Sequence, residues 1–302
     1  MHSKILVLGS ACVDVILYLD HLPVTEEDMR LAAQRQAMGG CAWNVASFLG
    51  RAGADVCLVA PVGLQGLYGP WVLSHMKELP WASPAVLEDQ ENGCCYCLVE
   101  KSGERTFLSL HGAEYTFDEA WVRERSADWT YVCGLEIEEK NGGDMVKWLE
   151  KGHAGQIFYA PGPRGMRVRE DLTQRLMALH PVLHLNRAEA LALSGKQDTE
   201  EAMRALSAMT GSAVIVTLGQ EGAAALENGR LLRVPAFPAE KVVDTIGAGD
   251  AHAGAMLLGL SSGMGMQASL DLAGCVSAAV VGVQGAAVPD DVIRKIADKI
   301  RL

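Results

Sequence analysis

The chain has 302 residues, 49% hydrophobic and 21% charged, an ordinary globular composition for one large α/β domain or two small ones. Its formal charge is −11, from 26 basic and 37 acidic residues without a basic run, which argues against a nucleic-acid or anionic-membrane surface. An anionic substrate would then need a local positive site, such as a helix N-terminus.

The segment "KILVLG" (4–9) reads as a short buried strand. Residues 13–37 read as paired extended segments. In "GGCAWNVASFLGRAG" the apolar residues Ala42, Val45, Ala46 and Leu49 recur at helical spacing, so a helix begins after Gly40 and stops near Gly53. "DVCLVAPVG" (55–63) is a strand again. "CCYCLVEKSGERTFLSL" reads as a hairpin turning at Lys101–Glu104, within a second extended region at 93–112. Strands follow at 129–135, 156–161, 181–186 and 212–219, with helical segments between most of them. After Pro238 helices are expected near 248–263, 266–283 and 290–300.

This β-α alternation predicts a mainly parallel sheet with helices on both faces. The extended regions 13–37 and 93–112 would form a small β lid on a single domain spanning 1–302. Neither a linker nor an internal repeat interrupts it. No run of about 18 apolar residues spans a bilayer, and the N-terminal apolar stretch is broken too early for a signal peptide. A cytoplasmic location is expected, with the eight cysteines reduced. "GCCYC" resembles a metal-ligand cluster, but no second CxxC or HxxxH completes it. On a strand Cys95 and Cys97 share a face, which favours a structural reading.

The stretch "VVDTIGAGDAHAGAMLLG" (242–259) carries the most chemistry. Gly247, Ala248 and Gly249 let the turn's N–H groups point outward together, and the helix that follows adds its positive end. Such a turn suits a transferring phosphoryl group. Asp250 lies in the first helical turn, placed to take a proton from an attacking hydroxyl. For "GAGD" alone, a glycine turn with a capping Asp would serve equally well.

"DTIGAGDAHAG" closely resembles the C-terminal motif of the ribokinase, or PfkB, family of carbohydrate kinases. "GGCAWNVASFLGRAGADVCLVAPVG" resembles that family's N-terminal motif. "NRAEAL" (186–191) resembles its N-x-x-E element, and "VTLGQEGA" (216–223) its nucleotide-binding segment. The four elements stand in family order across about 250 residues. No GxxxxGK[ST] occurs, so a P-loop kinase is excluded, and "GSACVD" lacks the spacing of a dinucleotide-binding turn.

The resemblance implies a ribokinase-like three-layer α/β/α fold and ATP-dependent phosphorylation of a sugar's primary hydroxyl. It makes Asp250 the base and Gly247, Ala248 and Gly249 the anion hole. Asp14, Gly40 and Asn44 would hold the sugar, Gly40 by letting it approach the backbone. Glu136 would face the substrate or stand as a solvated strand end. Asn186 and Glu189 would act through Mg²⁺ and its waters, a role compatible with a plain helix cap. Thr217, Gly219 and Gly222 would contact ATP, the two glycines leaving room for it. Arg164 matches a family position or is a surface arginine.

A monovalent cation such as K⁺ would use Asp244, Ile246 and the stretch around 280–285. The acidic residue common after Gly63 is missing from "VGLQGLYG", and no hydroxyl side chain ends the "QGAAVPDD" loop. A ribose-like furanose is the favoured acceptor, since Asp14 and Glu136 suit free hydroxyls and no cationic cluster awaits a substrate phosphate. A nucleoside, including a pseudouridine-type C-nucleoside, is the alternative, with Trp43, Tyr96 or Phe107 as a wall for the base. A catalytically silent sugar- or nucleotide-binding member is a third reading. An unpaired lid edge would offer a homodimer surface.

Overall fold

The computed structural model describes residues 3–239 and 241–300. From the N-terminus, β1 (Ile5–Leu8), β2 (Cys12–Leu19) and β3 (Ala33–Gly39) precede α1 (Cys41–Arg51). Next come β4 (Val56–Gln65), α2 (Gly69–Lys77), β5 (Ala82–Glu91), β6 (Cys94–Glu100) and β7 (Arg105–Leu110). The alternation continues with β8 (Trp129–Cys133), α3 (Gly134–Glu138), α4 (Gly142–Leu149), β9 (Gln156–Ala160) and α5 (Glu170–Met177). Then follow β10 (Val182–Asn186), α6 (Arg187–Ser194), α7 (Thr199–Thr210) and β11 (Val214–Thr217). The hairpin β12 (Ala223–Glu227) and β13 (Arg230–Val234) leads to α8 (Ala248–Ser261), α9 (Met266–Val281) and α10 (Asp290–Ile300).

Among the described residues nine strands form the large sheet, in the order β13-β12-β11-β10-β9-β8-β1-β4-β5. Every pairing from β11 to β5 is parallel, and only the β12–β13 end is antiparallel. Alternation along β1 explains the two cores. Ile5 and Val7 face a layer built by α1, α2, α8, α9 and α10, while Leu6 and Leu8 face one built by α3 to α7. Each buried side chain of Leu or Phe size contributes roughly 1.5–3 kcal/mol, so the fully enclosed Leu49, Leu58, Phe158 and Leu183 tie the layers firmly to the sheet. Among the described residues no helix is long and apolar enough to cross a membrane.

A second, four-stranded sheet has the order β3-β2-β6-β7. It matches the expected lid segments, and its hairpin turns where Gly103 N–H bonds Glu100 O at 2.8 Å. Its central pair, β2 and β6, runs parallel and sets Asp14 opposite Cys95. Three strands of the large sheet escaped the sequence reading: β5, β12 and β13. The stretch expected as a strand to residue 135 ends at Cys133, because Gly134 packs its bare Cα against the Pro161 backbone and opens α3.

The order of strands reverses between β1 and β8, one branch running outward to β5 and the other to β13. In open parallel sheets the crevice at such a switch point, beyond the strands' carboxyl ends, is where ligands bind.

Candidate active site

At that crevice the ends of β1 and β8 are joined by one buried bond: Ser10 N–H donates to Glu136 Oε1 across 2.8 Å. Glu136 is 1% exposed, so it is not a solvated strand end; it sits on α3, enclosed beneath the crevice. Its second oxygen, Oε2, and the hydroxyl of Ser10 are buried without a partner among the described residues. Burial pushes the Glu136 carboxyl up to about 7, against the pull of the Ser10 amide. Unpaired buried polar atoms are costly, so a ligand hydroxyl or a water belongs beside this pair.

The glycine pair before α1 is explained by what surrounds it. A Cβ on Gly39 would overlap the carboxylate of Asp14, and one on Gly40 would press on the Ser10 carbonyl. Gly40 also has φ of +99°, a conformation that favours glycine. The fold itself therefore requires Gly40, where the sequence suggested only room for a sugar. Together these contacts hold Asp14, on β2, over the N-terminus of α1. Burial, then the nearby charge of Asp250, raises Asp14 to about 7.

From α1, Asn44 Nδ2 donates to Asp250 Oδ2 at 2.8 Å. Burial lifts Asp250 to about 6, while hydrogen bonds from Asn44 and Cys41 hold it down. Asp250 lies in the first turn of α8, whose N-cap Gly247 has φ of +72° and packs closely on Ala286. Gly249 differs from Gly247: a Cβ there would meet open space. The amides of Gly249 and Asp250 have no backbone acceptor among the described residues, whereas Ala248 N–H turns back to Thr245 O at 3.3 Å. Two free amides at a helix N-terminus beside a carboxylate can hold an anionic group while the carboxylate accepts a proton.

The loop entering this turn is pinned by Asp244, which is 6% exposed. Its Oδ1 accepts from Ile246 N–H at 2.8 Å and its Oδ2 from Gly285 N–H at 2.9 Å. Arg105, at the start of β7, forms an ion pair with the same Oδ1 at 2.7 Å and donates to the Thr245 hydroxyl. The second sheet is thereby fastened to the loop of the anion turn.

Across the crevice, Asn186 and Glu189 form a complete capping box at α6. Asn186 N–H donates to Glu189 Oε2 at 2.9 Å, and Glu189 N–H to Asn186 Oδ1 at 2.9 Å. Burial raises Glu189, whose charge in turn adds to the upward push on Asp250. The two residues border a cavity of about 240 Å³ walled by Pro161, Pro163, Met166 and Leu193. Thr217 stands beside Asn186 in the β10–β11 register. Gly219 faces open space, but Gly222 is pressed against the backbone of residues 234–236, so its smallness serves the β12–β13 hairpin. Arg164 is held by Glu138 through a bidentate pair at 2.6 and 2.7 Å.

Residues 2–292 match the pfkB family of carbohydrate kinases. The chain belongs to that family. It is 35% identical over 298 residues to the Escherichia coli uncharacterized sugar kinase YegV, covering 94% of this chain and 90% of that protein. It is 30% identical over 304 residues to mouse ketohexokinase, covering 94% and 97%. The ribokinase of Thermotoga maritima shares the fold, with a TM-score of 0.83 at 20% identity over 98% of this chain and 99% of that one. This kinase is accordingly an ATP-dependent phosphotransferase with an alcohol acceptor.

Three parts of the kinase were not found from its sequence. Ser10 follows β1 without any motif residue type. Arg105 sits in a hairpin whose docking partner lies 139 positions away, at Asp244; an arginine just after a tight turn was the only available sign. His184 and His252 form a buried pair, Nε2 to Nδ1 at 2.9 Å, beneath the first turns of α8. Trp43 is 8% exposed and packs on Trp81 with ring centroids 5.4 Å apart, so it belongs to the core. Phe107 is 54% exposed.

Proposed function

We propose that this kinase transfers the γ-phosphoryl group of ATP to the primary hydroxyl of a small free sugar, with a ribose-like furanose as the favoured acceptor. The observation that carries the reading is the meeting of Asn44, Asp250 and the open amides beside Gly249. Asp14, Asn44 and the unpartnered Oε2 of Glu136 offer acceptors and a donor to sugar hydroxyls. Asp250 takes the hydroxyl proton as its oxygen attacks. The amides beside Gly249 stabilise the charge spread over the phosphoryl oxygens, and positioning supplies most of the rate.

Glu189 and Asn186 would hold the waters of a Mg²⁺ ion. Each Glu189 oxygen accepts one hydrogen bond within the capping box and keeps a second acceptor position for such a water. When bound, the ion would offset phosphate charge. A monovalent cation would share Asp244 with Arg105. Oδ1 is already filled by two donors, whereas Oδ2 keeps one position and the Ile246 carbonyl accepts no backbone N–H among the described residues. Bound there, it would steady the loop of the anion turn.

A nucleoside acceptor would require an aromatic wall; Trp43 is packed on Trp81, which leaves Tyr96 and Phe107 of the second sheet for that role. A phosphosugar would require a free cation, and Arg105 is committed to Asp244. The second argument favours an unphosphorylated acceptor. A homodimer through the second sheet is supported by Phe107, Leu108 and Leu110, exposed along the edge strand β7.

The test is ADP release with Mg-ATP over ribose, fructose and other free sugars, phosphosugars and nucleosides, alongside Asp250→Asn. Turnover on a free sugar that falls about 10²–10⁴-fold in the variant is expected. Near-full turnover in the variant would remove Asp250 from the role of base.

A further inference from the structure

The parallel pairing of β2 with β6 does something no motif announced. It sets Asp14 directly opposite Cys95, with Cys97 two residues along the same strand. The thiol sulfurs of Cys95 and Cys97 lie 3.9 Å apart. One oxygen of Asp14 and these two sulfurs all fall within 4.8 Å of one another. In a tetrahedral zinc site with Zn–S bonds of about 2.3 Å, two sulfurs stand about 3.8 Å apart. The sulfurs of this pair already have nearly that spacing.

We propose that Asp14, Cys95 and Cys97 form a site for a thiophilic divalent cation, Zn²⁺, and that its occupation shuts out the sugar. Two thiolates and a carboxylate are a soft-to-borderline donor set that zinc accepts and Mg²⁺, which prefers oxygen, does not. The activating ion of the reaction would therefore leave this site alone. Zinc would take three protein ligands here and keep its fourth position open to water. Each thiol releases its proton to solvent as the metal binds. Cys97 is 1% exposed, Cys95 and Asp14 are partly buried, and the Ser109 hydroxyl lies 3.8 Å from the Cys95 sulfur. The cluster is thus enclosed at Cys97 and partly accessible at Cys95 and Asp14.

The inhibitory half of the proposal rests on the reading of Asp14 as the carboxylate that holds sugar hydroxyls. An oxygen given to zinc is lost to the sugar, so metal and acceptor would exclude each other. The cysteines themselves take no part in the phosphoryl transfer.

The experiment has two readouts. First, the full chain, reduced with a phosphine, is titrated with Zn²⁺ against a chromophoric chelator, and with Co²⁺ to observe thiolate-to-metal charge transfer. One tight equivalent and a charge-transfer band are expected, both lost in a Cys95→Ser/Cys97→Ala double variant. The single Cys95→Ser variant, at a partly exposed position, guards against misfolding of the double one and should weaken binding at least tenfold. Unchanged zinc affinity in these variants would overturn the site.

Second, turnover is measured with saturating Mg-ATP at several zinc concentrations. The apparent KM for the acceptor should rise with zinc while kcat holds, and the double variant should be indifferent. Equal inhibition of the double variant would place the block elsewhere and overturn the inhibitory claim. Zinc bound at the cluster without any change in acceptor KM would leave the metal site standing and remove Asp14 from the sugar site.

Discussion

Asn44 and Asp250, 206 positions apart in the chain, are joined by a single 2.8 Å hydrogen bond from the amide to the carboxylate. It links the N-terminal turns of α1 and α8, so the residue that would orient the sugar also tunes the proposed base. The bond favours the ionised carboxylate and opposes the burial that lifts Asp250 to about 6.

This sets one acid limb of the pH profile. A base must be deprotonated, so protonation of Asp250 should lower kcat/KM tenfold per unit as pH drops below about 6, beneath any limb that Asp14 and Glu136 set near 7. Asn44→Leu removes the donor, raises the carboxyl's pKa and moves the limb to higher pH. A limb unmoved in the variant would mean that another group sets it.

The two glycines of the anion turn should separate fold from chemistry. Gly247→Ala forces a side chain into a φ of +72° and against Ala286, and should cost at least about 1–2 kcal/mol of stability in urea unfolding. Gly249→Ala places its methyl in open space, where a phosphoryl group would lie. It should leave the urea midpoint nearly unchanged and lower kcat. Loss of stability at position 249 equal to that at 247 would contradict the assignment.

Arg105→Met should release the second sheet from the anion-turn loop. The loss of one charge-assisted contact, roughly 1.5–3 kcal/mol, predicts about a ten- to hundredfold fall in kcat/KM. Steady-state kinetics with the acceptor varied would measure it. A change below twofold would show that the ion pair is not used in turnover.

The buried histidine pair predicts a pH-dependent stability difference. Burial holds His184 well below the usual histidine range and His252 at about 4. Unfolded histidine titrates near 6.5, so between that value and about 4 the unfolded chain binds the extra proton and stability falls as pH falls. His252→Phe removes one such group. Relative to wild type, the variant should gain about 1.4 kcal/mol per pH unit across that window, whatever the offset at pH 7. The buried acids Asp14, Glu136 and Asp250 act with opposite sign in both proteins and leave the difference intact. A gap constant with pH would show that His252 takes its proton in the folded state.

The layered architecture was legible because strands such as β1 and β4 are continuous apolar runs and helices such as α1 keep a clean period. β5 was not, since its "ASPAVLEDQE" carries proline and four acidic or amide residues on an exposed sheet edge. β12 reads "AAALE", and alanine is a poor strand marker. Within the site, Asp14, Asn44 and Asp250 were visible because each sits in a local motif. The unpaired Ser10–Glu136 pair, the reach of Arg105 and the proximity of Asp14 to Cys95 depend on which distant strands become neighbours. The single-sequence pattern carries no record of that pairing.

The Arg105–Asp244 contact has a thermodynamic corollary. One carboxylate fastens the second sheet and, through Ile246 and Gly285, also shapes the turn that receives the anion. Two ligands acting on opposite ends of such a contact are linked, and linkage is reciprocal. Whatever factor the sugar adds to nucleotide affinity by drawing the sheet down, the nucleotide must return to sugar affinity in equal measure.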